Sequence, residues 1–127
     1  MVHVLFVDDM ESLVKIVERG LTQMGFEVTS ALTGQAGLEV FHSGSVDVVV
    51  CDLGMEPMDG REFGRAVKKA CEEQGRPKTP FILLTGHGPE ADMLEDPAAD
   101  GIDRIMEKPV DLSELSGTIR GLVEHKA

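Results

Sequence analysis

Val46-Asp47-Val48-Val49-Val50-Cys51 runs straight into Asp52, and Val2-His3-Val4-Leu5-Phe6-Val7 runs in the same way into Asp8-Asp9. Both stretches are β-branched or aromatic, of strand length, and apolar nearly throughout, so each reads as a buried strand that stops at a carboxylate. Phe81-Ile82-Leu83-Leu84 before Thr85 is a third such run, introduced by Pro80. Phe26-Glu27-Val28-Thr29-Ser30 and Ile102-Asp103-Arg104-Ile105-Met106 are more mixed and read as weaker strands, one of them near the sheet's edge.

Helical spacing fills the intervals. Met10, Leu13, Val14, Val17, Leu21 and Met24 recur on one face, with Gly25 as the stop. Asp59 with Glu62 has the form of a capping box ahead of Phe63, Ala66, Val67 and Ala70. Asp111 with Glu114 repeats that form ahead of Leu115, Ile119, Leu122 and Val123. A shorter helix is expected from about Gly34 to His42. Between Gly86 and Gly101, Pro89 suits a first helical turn but Pro97 would break a helix running on from it, so a short or mobile fourth helix is expected there.

Strand and helix thus alternate from end to end. Parallel strands need crossover helices, and these crossovers are right-handed. The expected architecture is therefore α/β: a doubly wound, five-stranded parallel sheet with helices on both faces. With 127 residues the chain is expected to form one domain over 1–127 with one core.

Twenty-three acidic residues against twelve basic ones give a formal charge of −11. This argues against direct contact with nucleic acid or an anionic membrane and favours cations and basic or mixed protein surfaces. No apolar run approaches a membrane span, and the N-terminus lacks the basic flank and cleavage site of a signal peptide, so a cytoplasmic address is expected. Cys51 and Cys71 show no zinc spacing and read as buried or half-buried free thiols.

In open parallel sheets the ligand crevice lies outside the carboxyl ends of the strands. Asp8, Asp9, Asp52, Thr85 and Lys108 all follow strands, so residues far apart in sequence should meet at one edge. Alone, Asp8-Asp9 is a helix-capping pattern and Lys108 a surface lysine. Together they pose a problem, because two like charges ~4 Å apart repel by ~4 kcal/mol at an effective dielectric of 20. Three carboxylates against one ammonium leave two negative charges in excess, which a hard divalent cation such as Mg²⁺ would neutralise. If Asp52 attacked phosphorus, about two negative charges would replace its one, to be held by Mg²⁺, Lys108 and the Thr85 hydroxyl.

At these residues the chain resembles the receiver domains of two-component response regulators, and that resemblance implies the flavodoxin-like strand order 2-1-3-4-5. The motifs are Asp8-Asp9, Asp52-Leu53-Gly54-Met55, Met58-Asp59-Gly60, Thr85-Gly86 and Lys108-Pro109, spread over the chain from about Val2 to the last helix. The resemblance implies that Asp52 takes phosphate from a phosphohistidine on a sensor histidine kinase or histidine phosphotransfer protein. It implies that Asp9, Asp52 and the Gly54 carbonyl coordinate Mg²⁺, with Asp8 acting through a coordinated water. Thr85 would move toward the phosphoryl group and Lys108 pair with it, changing the surface read by a downstream effector. The implied role is a phosphoacceptor switch rather than an enzyme, though one able to catalyse its own phosphorylation and dephosphorylation.

Several positions depart from the pattern. Pro57 stands one residue later than usual for this loop. Ile105 occupies the place, three residues before the lysine, where many receivers carry Tyr or Phe. Gly54 and His87 would flank an attacking water, although His87 between two glycines also reads as an exposed loop histidine. Pro97 falls on the region that usually carries output.

Three other readings compete with this one. A haloacid-dehalogenase-like phosphatase needs a second acid two residues after its nucleophile, where this chain has Gly54. A flavodoxin-like flavin protein needs donors after the first strand, where Asp8, Asp9 and Glu11 would repel phosphate. The third is a receiver-like docking module that is never phosphorylated; the presence of all five site residues counts against it.

Overall fold

The computed structural model describes residues 1–86 and 96–126. The expected fourth helix and His87 lie largely or wholly outside those residues. Five strands, β1 (His3–Val7), β2 (Glu27–Ala31), β3 (Val48–Asp52), β4 (Phe81–Thr85) and β5 (Arg104–Glu107), form one parallel sheet in the order β2-β1-β3-β4-β5. The described helices are α1 (Glu11–Gln23), α2 (Gly34–Ser43), α3 (Gly60–Glu73) and α4 (Leu112–Lys126). The expected fold class and strand order are both observed.

Alternation along each strand splits the core in two, because successive side chains point to opposite faces. Leu5, Val7, Val49, Cys51 and Leu83 pack with Phe41 of α2 and Phe63, Val67 and Ala70 of α3. Val4, Phe6, Val50, Ile82 and Leu84 pack with Val14, Val17 and Leu21 of α1 and Leu115 and Ile119 of α4. The central strands β3 and β4 are buried at every position. This explains why their sequences are continuous apolar runs rather than alternating ones.

Polar groups fix the ends of the helices. Asp59 and Glu62 form the full capping box at α3, with Glu62 N–H donating to Asp59 Oδ1 at 2.9 Å and Asp59 N–H to Glu62 Oε1 at 3.2 Å. Thr33 Oγ1 caps α2, and Asp111 Oδ1 accepts the Glu114 N–H at 3.1 Å at the start of α4. Gly25, at φ +95°, turns the chain from α1 into β2 in a conformation that L side chains resist.

Four expectations need correction. Met10 and Met24 are not core residues: they stand at the N-cap and C-cap of α1, 54% and 38% exposed. The third strand starts at Val48, two residues later than the apolar run. The last strand starts at Arg104 rather than Ile102; Ile102 is buried in the preceding turn against the α2/α3 face. The fifth strand is an edge strand, and so is the second. Pro97 opens that turn, its carbonyl accepting the N–H groups of Asp100 and Ile102. The buried Asp100 carboxylate then ties the turn to α3 through Arg65 Nε at 2.6 Å and Arg61 Nε at 3.4 Å.

One close approach can be tested directly. A Cβ on Gly60 would lie 2.6 Å from the Asp52 carbonyl oxygen and 2.9 Å from Leu53 Cα, both backbone atoms, whereas Gly117 has nothing within 4 Å. Gly60→Ala should therefore lower unfolding free energy by about 1–3 kcal/mol in a urea melt. Gly117→Ala, in the exposed interior of α4, should raise it by up to ~1 kcal/mol.

Candidate functional site

The carboxyl ends of β1, β3, β4 and β5 converge at one edge of the sheet, and each delivers a polar residue there. Asp8 follows β1 and is fully buried. Its backbone N–H continues the β1–β2 ladder by donating to the Ala31 carbonyl at 3.1 Å. Its carboxylate is divided between two tasks: Oδ1 accepts the Met10 N–H at 2.9 Å at the start of α1, and Oδ2 accepts Lys108 Nζ at 2.9 Å. Asp8 is not the N-cap of α1, which is Met10 and has no side-chain cap; its carboxylate instead fixes the turn into that helix with one oxygen and pairs with Lys108 through the other. Asp9 is exposed beside it.

Asp52 is the last residue of β3 and is 8% exposed, with Oδ1 3.0 Å from Lys108 Nζ. One carboxylate oxygen from each of Asp8, Asp9 and Asp52 lies within 4.8 Å of the others, an arrangement able to hold a metal ion. Lys108 is brought to the pocket by its own backbone, whose N–H donates to the Thr85 carbonyl at 2.8 Å, and it bridges Asp8 and Asp52. The peptide bond from Lys108 to Pro109 is cis.

Thr85 ends β4, one residue beyond Leu84, the register partner of Asp52. It is fully buried, and among the described residues its hydroxyl has no hydrogen-bond partner. A buried hydroxyl left unpaired is costly unless a ligand completes it. Gly54 lies alongside: a Cβ there would sit 3.8 Å from Asp52 Oδ2. The loop between them is held by Leu53 N–H on the Leu84 carbonyl at 2.9 Å and Gly60 N–H on the Leu53 carbonyl at 3.0 Å.

The electrostatics follow from this crowding. Burial pushes the Asp52 pKa up from its ordinary value; the hydrogen bond from Lys108 opposes that rise and the charge of Asp8 adds to it. Burial works against the Lys108 ammonium, but its bonds to Asp8 and Asp52 outweigh this and raise its pKa. Cys51, enclosed behind Asp52, is pushed well above the usual thiol range by burial and by the neighbouring carboxylates.

All the residues singled out from the sequence, Asp8, Asp9, Asp52, Gly54, Thr85 and Lys108, are therefore brought to this one edge. Ile105 sits on β5 opposite Leu83, half-buried against the α2/α3 face. The bond preceding Pro57 is cis. Sequence reasoning did not find the supporting role of Gly60, whose missing side chain lets α3 close on the backbone of Asp52 and Leu53. The signal available was a glycine directly after the capping-box aspartate.

Comparison with known proteins agrees with this geometry. The family model of the response regulator receiver domain matches residues 4–120. The transcriptional regulatory protein GlrR of Escherichia coli (strain K12) is 34% identical over 98% of this chain, which spans only 27% of that protein's length. The probable chemotaxis protein CheY of Rhizobium etli is 30% identical over 95% of this chain and 92% of its own. Among solved structures, a response regulator receiver domain protein from Clostridium thermocellum superposes with a TM-score of 0.87 at 28% identity, covering 99% of this chain and 97% of that one. With the sheet order, the acidic pocket and the family match in agreement over nearly its whole length, the chain belongs to the response regulator receiver domains, the phosphoacceptor modules of two-component signalling.

Proposed function

We propose that Asp52 is the phosphoacceptor of this receiver, taking a phosphoryl group from a phosphohistidine on a sensor histidine kinase or a histidine phosphotransfer protein. The observation that carries this reading is the buried hydroxyl of Thr85, unpartnered among the described residues, beside a cluster of three carboxylates of which Lys108 pairs with two. A phosphoryl group on Asp52 would supply the acceptor that Thr85 lacks, and its added negative charge would be held by Lys108 and a bound divalent cation.

An Asp52 oxygen attacks phosphorus, the bond from phosphorus to the donor imidazole nitrogen breaks, and that nitrogen takes up a proton as it leaves. Lys108 stays within reach of the developing charge, because its backbone is fixed to Thr85 and its side chain already lies 3.0 Å from Asp52. Positioning and charge neutralisation of this kind carry most of the catalysis in phosphoryl transfer. The carboxylate cluster fits Mg²⁺, which Asp9, Asp52 and the Gly54 carbonyl would hold with Asp8 acting through water, and which neutralises phosphoryl charge when bound. Hydrolysis by water would reset the switch, with Gly54 presenting no side chain to shield Asp52 Oδ2.

Thr85 and Lys108 terminate β4 and precede α4, so drawing them toward a phosphoryl group biases the surface of β5 and α4, which a downstream effector reads. Ile105 makes that coupling aliphatic rather than aromatic. The chain works in the cytoplasm as one receiver unit over residues 1–127.

Intact mass spectrometry after incubation with Mg²⁺ and a small acyl phosphate tests the reading. The wild-type chain should gain one phosphoryl group, with no gain in Asp52→Asn or without Mg²⁺. No gain in the wild type, together with an NMR spectrum unmoved by beryllofluoride, would favour a docking module that is never phosphorylated.

The raised pKa of Asp52 makes a second prediction. A carboxyl whose pKa rises on folding binds more protons in the folded chain, so its contribution to stability falls as pH climbs from the ordinary carboxylate range through the raised value. Above that window the cost of the buried charge is complete. Asp52→Asn should therefore melt higher than the wild type at neutral pH, by about 1 kcal/mol or a few degrees. The gain should disappear below about pH 4, where both side chains are neutral.

A further inference from the structure

We propose, on the reading of Asp52 as phosphoacceptor, that Asp100 is a positioning residue for phosphoryl transfer: it holds α3 in the register over the turn before β5 that places the Leu53–Gly54 backbone beside Asp52. Asp100 is buried, and each of its carboxylate oxygens takes a different arginine of α3. Oδ1 accepts Arg65 Nε at 2.6 Å, and Oδ2 accepts Arg61 Nε at 3.4 Å. Beneath these side chains the two backbones touch. A Cβ on Gly64 would lie 2.5 Å from the Asp100 carbonyl oxygen, and one on Gly101, at φ +78°, would lie 2.9 Å from the Gly64 carbonyl oxygen. One turn further along the helix, Lys68 Nζ donates to the Ala99 carbonyl at 3.4 Å.

Helix packing is ordinarily fixed by side-chain ridges entering grooves. Two bare backbones offer neither, so their contact alone does not set where α3 sits along the turn. Directional bonds to both oxygens of one carboxylate do set it. A buried ion pair adds little stability over an apolar residue of the same size, and its best-attested use is to specify register between packed elements.

The first turn of α3 shows what that register controls. Gly60, the chain neighbour of Arg61, donates its N–H to the Leu53 carbonyl at 3.0 Å, and a Cβ there would lie 2.6 Å from the Asp52 carbonyl oxygen. The helix thus starts directly on the Asp52 and Leu53 backbone, with no side chain between to absorb a shift. Movement of α3 is passed to Leu53 and to the Gly54 carbonyl that follows it. A displacement of about 1 Å can slow a positioned reaction by about a hundredfold, so a fraction of that is measurable. Asp103 is the internal contrast: its carboxylate accepts Lys78 Nζ at 2.6 Å and the Phe81 N–H at 2.8 Å, joining the starts of β4 and β5 without touching α3.

The test compares Asp100→Asn, Arg61→Met and the two combined with the wild type and with Asp103→Asn. Phosphorylation rate is read by intact mass with a small acyl phosphate, and Mg²⁺ affinity by amide NMR, where each chain is folded. Asp100→Asn and Arg61→Met should be phosphorylated about fivefold more slowly and bind Mg²⁺ about threefold more weakly, with the amide signals of Leu53, Gly54 and Gly60 moved before metal is added. Combined, they should be no slower than Asp100→Asn alone, because Arg61 acts through Asp100. Asp103→Asn should melt lower yet keep the wild-type rate and affinity. Asp100→Asn and Arg61→Met chains that match the wild type in both readouts overturn the proposal and leave Asp52 as phosphoacceptor. An Asp103→Asn chain slowed as much as Asp100→Asn overturns it too, since general loosening would then explain both. A wild-type chain that takes no phosphoryl group removes the phosphoacceptor reading and the role of Asp100 with it. Should Asp100→Asn fail to fold, Arg61→Met and Arg65→Met, at side chains 33% and 52% exposed, decide the same question.

Discussion

Three carboxylates held within a few ångströms of each other around a single ammonium are the constraint on which the rest of this molecule depends. Asp8, Asp9 and Asp52 repel one another, and Lys108 can satisfy only part of that charge even when it bridges two of them. Such a pocket is maintained because the backbone leaves it no choice. Asp52 is the final residue of a strand paired on both sides, Asp8 is fixed to the end of β2 by its own N–H, and Lys108 is fixed to Thr85. Asp8 and Asp9 follow β1, Asp52 ends β3 and Lys108 follows β5, so Asp52 and Lys108 cannot leave the Asp8-Asp9 pair without breaking the sheet.

The two apolar faces supply the rigidity this requires. Strands β3 and β4, buried along their whole length, form the middle of the sandwich, and their register sets the distance between Asp52 and Thr85. Helix α3 is seated by the capping box at Asp59 and by the bare backbone of Gly60 against Asp52 and Leu53. Asp100, gripped by two arginines of α3, ties the start of β5 to the same helix. The unsatisfied hydroxyl of Thr85 and the excess charge are thus concentrated at one edge, where a divalent cation can relieve the charge and a phosphoryl oxygen the hydroxyl.

Much of this was legible in the sequence, and the physical reason differs by element. Strands β1, β3 and β4 announce themselves because a strand covered on both faces must be apolar at nearly every position. Edge strand β5 was misplaced by two residues, since Ile102 is apolar for the sake of the turn it is buried in rather than for the sheet. Met10 and Met24 fit the helical period yet sit at its caps, because periodicity marks a face and not the end of a helix. The site residues could be found because each terminates a strand and the sheet order brings those ends together. What the sequence could not disclose is pairing across distance: the division of Asp8 between the Met10 N–H and Lys108, and the Asp100 clamp, leave no local pattern.

The acidic pocket is an incomplete charge cluster, and a Mg²⁺ titration followed by amide NMR tests that most directly. Saturable shifts confined to the neighbourhood of Asp8, Asp9, Asp52 and Gly54 are expected at millimolar Mg²⁺, weakened in Asp9→Asn and strengthened in Lys108→Met, where the competing ammonium is gone. Spectra that do not respond to Mg²⁺, or that respond equally in all three chains, would contradict it.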